Sequence, residues 1–214
     1  MPAPAVKGAL LAGIVEQVIR LRNDRKIDPS DLELRLGEEG MACLEEKIQG
    51  AAWYPIEIFT RMRELLQEVE GRGQEQYTID SGAASARRLI EAGLYQQLDY
   101  LKRWQEHVPT GDRAADQEKQ AALLRRQMTM VGTIYSSMLN FGTPKLEVDP
   151  EFSRRFQLET WDEGVLPRVG RLAVLGFWNE ISLQWSPRRE PGLWHMVHHP
   201  DHYVMRMTRD IDEI

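Results

Sequence analysis

The chain has 214 residues, with 27 Lys+Arg against 33 Asp+Glu and a formal net charge of −6 when histidines are neutral. Hydrophobic residues at 42% and charged residues at 28% exclude a disordered or fibrous chain, and the acidic balance argues against nucleic acid as a partner, because duplex binding needs a basic face. A single cysteine, Cys43, cannot close an intramolecular disulfide; with no signal-peptide pattern at the start and no apolar run near the ~18 residues of a membrane span, the expected compartment is the cytoplasm.

From Gly8 to Arg22 the residues Leu11, Ile14, Val15, Val18 and Ile19 recur at three- and four-residue spacings, which predicts an amphipathic helix. Asp28-Pro29-Ser30 reads as a capping turn, and Met41, Leu44 and Ile48 share one face of a short helix that Gly50 would stop. After Trp53-Tyr54, Pro55 opens a helix to about Val69 with Ile58, Phe59, Met62, Leu65, Leu66 and Val69 inward, and Gly71-Arg72-Gly73 ends it. Asp80-Ser81 is the expected cap of a helix through Leu94, with a further apolar series through Leu98, Leu101 and Trp104. Residues 107–117 read as a loop, and a long helix follows to Phe141, with Gly142 as its C-terminal stop.

The period then changes. Leu146 and Val148, and then Phe156, Leu158 and Thr160, alternate with polar residues as half-buried strands do, with Asp149-Pro150 turning between them. Helical spacing returns from about Leu166 to Leu183, and Leu193 to Thr208 reads as a hairpin. If Pro200-Asp201 are the central turn residues, His199 faces His202, His198 faces Tyr203 and Met196 faces Met205. Trp194, Met196, His198, Tyr203, Met205 and Met207 then lie on the core side. The expected fold is α+β: one domain over residues 1–214, with a predominantly helical layer (1–142) packed on a small antiparallel sheet formed by the C-terminal third (strand, strand, helix and hairpin, 143–209).

Val6-Lys7-Gly8, Trp53-Tyr54-Pro55, Gly93-Leu94-Tyr95, the Gly142 turn into strands and Gly176-Phe177-Trp178 occur in an order that resembles an uncharacterised family common in myxobacteria. That family is itself similar to the heme-NO-binding and vinyl-reductase-like ligand-binding domains. The resemblance spans Val6 to about Arg209 and implies helices on a twisted antiparallel sheet, a pocket between them, self-association and a sensory or regulatory role. Heme-binding members carry a proximal helical histidine and a Tyr-x-Ser-x-Arg motif. This chain has neither: Tyr203 to Met207 has the wrong spacing and no serine, and the helical region holds only His107, in or beside a loop. No heme or other cofactor is expected.

Four of the five histidines, His195, His198, His199 and His202, cluster around the Pro200-Asp201 turn. His199 and His202 are the candidate metal ligands, with Asp201 as a third; the plainer reading is an exposed polar hairpin tip. No nucleophile–base pair, phosphate loop or metal-hydrolase spacing is present, so no enzyme is expected. Trp53, Tyr54, Trp185 and Trp194 stand beside breaks or turns and are the candidate interaction residues. Arg87-Arg88, Arg125-Arg126 and Arg188-Arg189 are short basic pairs that would bind an anion only if the fold gathered them. Two functions stay open: a non-catalytic regulatory or signalling module acting through a protein partner, and a small-molecule sensor with a pocket between helices and sheet. A homodimer is expected, because four short strands leave sheet edges.

Overall fold

In the computed structural model the described residues are 2–93, 130–153, 155–185 and 192–210. Strand β1 (Ala5–Lys7) leads into helix α1 (Gly8–Asn23), whose Leu11, Ile14, Val18 and Leu21 are fully buried. Each such side chain contributes about 1.5–3 kcal/mol of hydrophobic stabilisation. Helix α2 (Pro29–Glu45) starts at Asp28, whose carboxylate accepts the Ser30 amide at 2.9 Å, and it is kinked at Gly37 by a positive φ of 68°. It therefore begins well before the predicted short helix and ends before Ile48, because Gly37 lets two helical pieces join where a β-carbon would strain the backbone.

Strand β2 (Trp53–Pro55) pairs antiparallel with β1, in the register Ala5 with Pro55 and Lys7 with Trp53. This corrects the expectation that the sheet is confined to the C-terminal third. Three-residue strands are too short to carry a period-two signal, and their pairing is set by distant chain. Asn140 completes the arrangement: its Oδ1 accepts the Ala5 amide at 2.6 Å and its Nδ2 donates to the Ala3 carbonyl at 3.0 Å.

Helix α3 (Ile56–Val69) follows as predicted, and α4 (Glu75–Glu91) begins five residues before the expected Asp80-Ser81 cap. Asp80 and Ser81 lie inside α4, and the Ser81 hydroxyl is engaged by a side chain of α3 instead of an amide of its own helix. The expected series Leu94 to Trp104, the 107–117 loop and most of the long helix lie outside the described residues. Residues 130–138 are helical (α5) and bury Val131, Ile134, Tyr135 and Met138.

Strands β3 (Thr143–Val148) and β4 (Phe156–Trp161), helix α6 (Arg168–Trp185) and the hairpin β5 (Trp194–His198) and β6 (His202–Met207) complete the chain, and the four strands form an antiparallel sheet in the order β3-β4-β6-β5. The hairpin has the predicted register, with His198 opposite Tyr203 and Met196 opposite Met205, and the His199 amide donates to the His202 carbonyl at 2.9 Å. Trp194, Met196, Tyr203, Met205 and Met207 are buried and His198 is half-buried, as the alternation requires. The fold class is α+β. Among the described residues no helix is long and apolar enough to cross a membrane.

Two arginine–aspartate pairs fasten the sheet. At the β3–β4 turn the buried Asp149 carboxylate accepts Arg206 Nε at 2.7 Å and Nη2 at 2.6 Å, together with the amides of Glu151 and Phe152. The Arg206 guanidinium, foremost among these donors, holds the Asp149 carboxyl down at about 2, against the usual 3.8. A carboxyl depressed by folding adds stability above its unfolded value, and that stability is lost as the pH falls through the folded one. Stability should therefore drop by about 2 kcal/mol between roughly pH 4 and pH 2 on account of this group. Urea titrations across that range check it: Asp149→Asn should be less stable than wild type at pH 7 and show a flatter acid limb.

Candidate functional site

Helices α1, α3, α4, α5 and α6 border a partly open apolar cavity of about 30 Å³, lined among others by Leu10, Phe59, Tyr135, Met138, Phe177 and Trp178. Two of its lining residues, Tyr135 and Trp178, are almost wholly buried. Trp161 instead lies on the outer surface, 46% exposed. The cavity lies between helices, and among the described residues no strand contributes to it. Most of the long helix that would face the sheet in the expected pocket lies outside the described residues, and where α6 meets α4 the two helices are in close backbone contact.

Among the described residues one charged group lines this cavity. Arg63 of α3 is 3% exposed; its Nη1 donates to Ser81 Oγ at 2.9 Å and its guanidinium lies 5.1 Å from the centre of the Phe59 ring. Its Nε is fully enclosed and makes no hydrogen bond, and among the described residues no carboxylate pairs with it. Burial pushes the guanidinium down to about 10, with the neighbouring Arg88 lowering it further and Tyr77 opposing the shift; it is still cationic at neutral pH. Sequence reasoning passed over Arg63, although a signal was present. It stands four residues after Phe59 and three before Leu66, a cation in the middle of the apolar stripe. Ser85 also borders the space, but its hydroxyl is committed to the Ser81 carbonyl at 2.9 Å.

His199 and His202 do meet at the hairpin tip. Their rings are stacked, with centroids 4.2 Å apart and planes within 5°, and Trp161 stacks on His202 at 4.3 Å. Metal coordination runs in the ring plane, so stacked imidazoles aim their lone pairs side by side and not at a common point. His202 Nδ1 is moreover 2.8 Å from Asp201 Oδ1, and among the described residues no group of three or more His, Cys, Asp or Glu could hold a metal. The described arrangement at the hairpin tip is an aromatic stack.

The four candidate interaction residues are separated by the fold. Trp53 is 41% exposed with Lys7 Nζ 4.0 Å over its ring, and the half-buried Tyr54 accepts the Gln49 amide through its hydroxyl at 2.9 Å. Trp194 is only 8% exposed and donates from Nε1 to Ser182 Oγ at 2.7 Å, so it closes the core between β5 and α6 and offers no surface to a partner. The side chain of Trp185 lies outside the described residues. Cys43 is buried, and burial raises its thiol, as for an inert packed cysteine. Of the basic pairs, Arg87 bonds Glu180 at 2.6 Å across to α6, while Arg88 lies against Gly13 of α1, near Arg63; the other two pairs lie outside the described residues.

No family model and no curated protein matches the chain. Among solved structures, a chain reported under the words "Modulating Heme Redox Potential Through Protein-Induced Porphyrin Distortion" aligns over 94% of this chain and 97% of its own length, with 12% identity and a TM-score of 0.48.

Proposed function

We propose that this protein is a non-catalytic regulatory module whose input is a small molecule held among the helices. The observation that carries the reading is the apolar cavity among the helices, bordered by the buried Arg63, which has no counter-charge among the described residues. Ligand sites are typically apolar spaces with a few placed polar groups, and a cation held without a counter-charge in such a space costs several kcal/mol unless a partner arrives. The output is a change of association between protein chains. In support, β3 and β5 are the outer strands of the four-stranded sheet, and self-association through such edges makes a homodimer the working state.

A second reading, in which a protein partner is the primary ligand, keeps one specific observation. Trp53 is exposed on the small N-terminal sheet with Lys7 over its ring, and exposed tryptophan is of the kind enriched at interfaces. Native mass spectrometry of protein purified from its own host separates the two. The expected spectrum is a dimer retaining a small molecule that is released on denaturation. A ligand-free monomer accompanied by a partner protein that is lost on Trp53→Ala would replace the sensor reading with the interaction reading.

A further inference from the structure

Arg63 narrows the chemistry of the ligand, on the premise that the helical cavity is a ligand site. A guanidinium presents its donors as planar forks, and one of those forks, Nε with Nη2, has no hydrogen-bond partner among the described residues, while Nη1 is occupied by Ser81. The matching acceptor is a planar group with two oxygens on one edge and a single negative charge, which is a carboxylate. The volume agrees with this. About 30 Å³ in the resting structure holds two or three water-sized centres, room for a carboxylate head group alone, so a tail enters only as the side chains around it give way.

The lining excludes the neighbouring chemistries. A phosphate ester brings three terminal oxygens, and with the Ser85 hydroxyl spent on Ser81 the described lining offers it the arginine fork and, beyond that, only the Tyr135 hydroxyl, too few donors to satisfy it. A cationic ligand would meet Arg63 and, close by, Arg88. The remaining surface is Phe59, Met138, Phe177 and Trp178, which accepts a hydrocarbon tail, and Met138 has the unbranched, flexible side chain that gives way most readily when a tail enters.

We infer that the ligand is a small apolar monocarboxylate, its carboxylate clamped by the Nε and Nη2 edge of Arg63 and its tail lying among Phe59, Met138, Phe177 and Trp178. Ligand binding then supplies a counter-charge that no described residue gives Arg63, so an occupied chain is more stable than an empty one.

Calorimetric titration with hexanoate and with 1-hexanol, which share a tail and differ in the head group, tests this on the full chain at pH 7. Hexanoate is expected to bind about tenfold or more tightly than hexanol, the preference a charged two-point contact confers. Arg63→Met, which removes a buried unpaired charge and should fold at least as stably as wild type, is expected to erase that preference and leave hexanol affinity within about twofold. Arg63→Lys, with charge but no fork, should retain part of it. Equal binding of hexanoate and hexanol to the wild type would overturn the carboxylate inference and leave the cavity reading standing, as would undiminished hexanoate preference in Arg63→Met. Binding of neither compound would overturn both.

Discussion

Arg171→Met is expected to destabilise the protein by about 3–5 kcal/mol, the loss typical when one member of a buried ion pair is removed. Arg171 on α6 and Asp162 at the end of β4 are both buried, and they are joined by two hydrogen bonds, Nε to Oδ2 at 3.1 Å and Nη2 to Oδ1 at 2.7 Å. The remaining arm, Nη1, donates to the carbonyls of His199 at 2.5 Å and His202 at 3.0 Å, which close the β5–β6 hairpin. One side chain thus ties the helix, the central strand and the hairpin tip. Removing it strands the buried carboxylate and the His199 carbonyl together, while the His202 carbonyl keeps the His199 amide. Asp162→Leu should cost a similar amount for the opposite reason, an uncompensated guanidinium, and would also release the Gly164 amide that Oδ1 accepts at 3.1 Å. In urea unfolding the double variant should lose clearly less than the two single losses added together, because neither charge is left alone. A loss below about 1 kcal/mol in Arg171→Met, or strict additivity in the cycle, would show that this pair does not fasten the sheet to the helix.

Gly176→Ala is the second large effect. Helices α4 and α6 cross with their backbones in near contact: a β-carbon at Gly176 would stand 1.8 Å from the Ile79 carbonyl oxygen, and one at Gly82 would stand 2.1 Å from that of Ala173. Both obstacles are main chain, which cannot swing aside as a side chain would, so either substitution must force the helices apart. The better helix propensity of alanine returns about 1 kcal/mol, and overpacking costs 1–3 kcal/mol or more, so we expect a net loss of about 2 kcal/mol for each. Gly132→Ala in α5 supplies the opposite sign, because a β-carbon there meets nothing within 4 Å; a gain approaching 1 kcal/mol is expected. Thermal unfolding of the three variants checks the ordering. Gly82 and Ala173 also border the cavity, so a Gly82→Ala variant that folds at all should show altered ligand affinity as well.

Much of this architecture follows from local pattern. The stripes of α1 and α3 repeat over several turns, and burial of so many apolar side chains outweighs other uses of those segments. The hairpin register follows from strict alternation around a two-residue turn, since a slip by one residue would expose Met196, Tyr203 and Met205. The weaker signals failed for physical reasons. The start of α4 carries no side-chain cap, so nothing local marks Glu75, and Asp80-Ser81 drew the boundary by its cap chemistry alone.

Sequence by itself determined the α+β class, the order of the helices and of the C-terminal strands, and their inward faces, because periodic burial is a property of consecutive residues. Only tertiary structure decided the site. Whether Trp194 is an anchor or core, whether His199 and His202 converge on a metal or stack, and whether Arg63 finds a counter-charge depend on what distant segments place beside them: Ser182, Trp161 and Ser81. The pairing of β1 with β2 is of the same kind, joining residues about fifty positions apart through strands too short to announce themselves. Charges and aromatic rings take their meaning from neighbours supplied by the fold, whereas an apolar stripe needs only to be turned away from water.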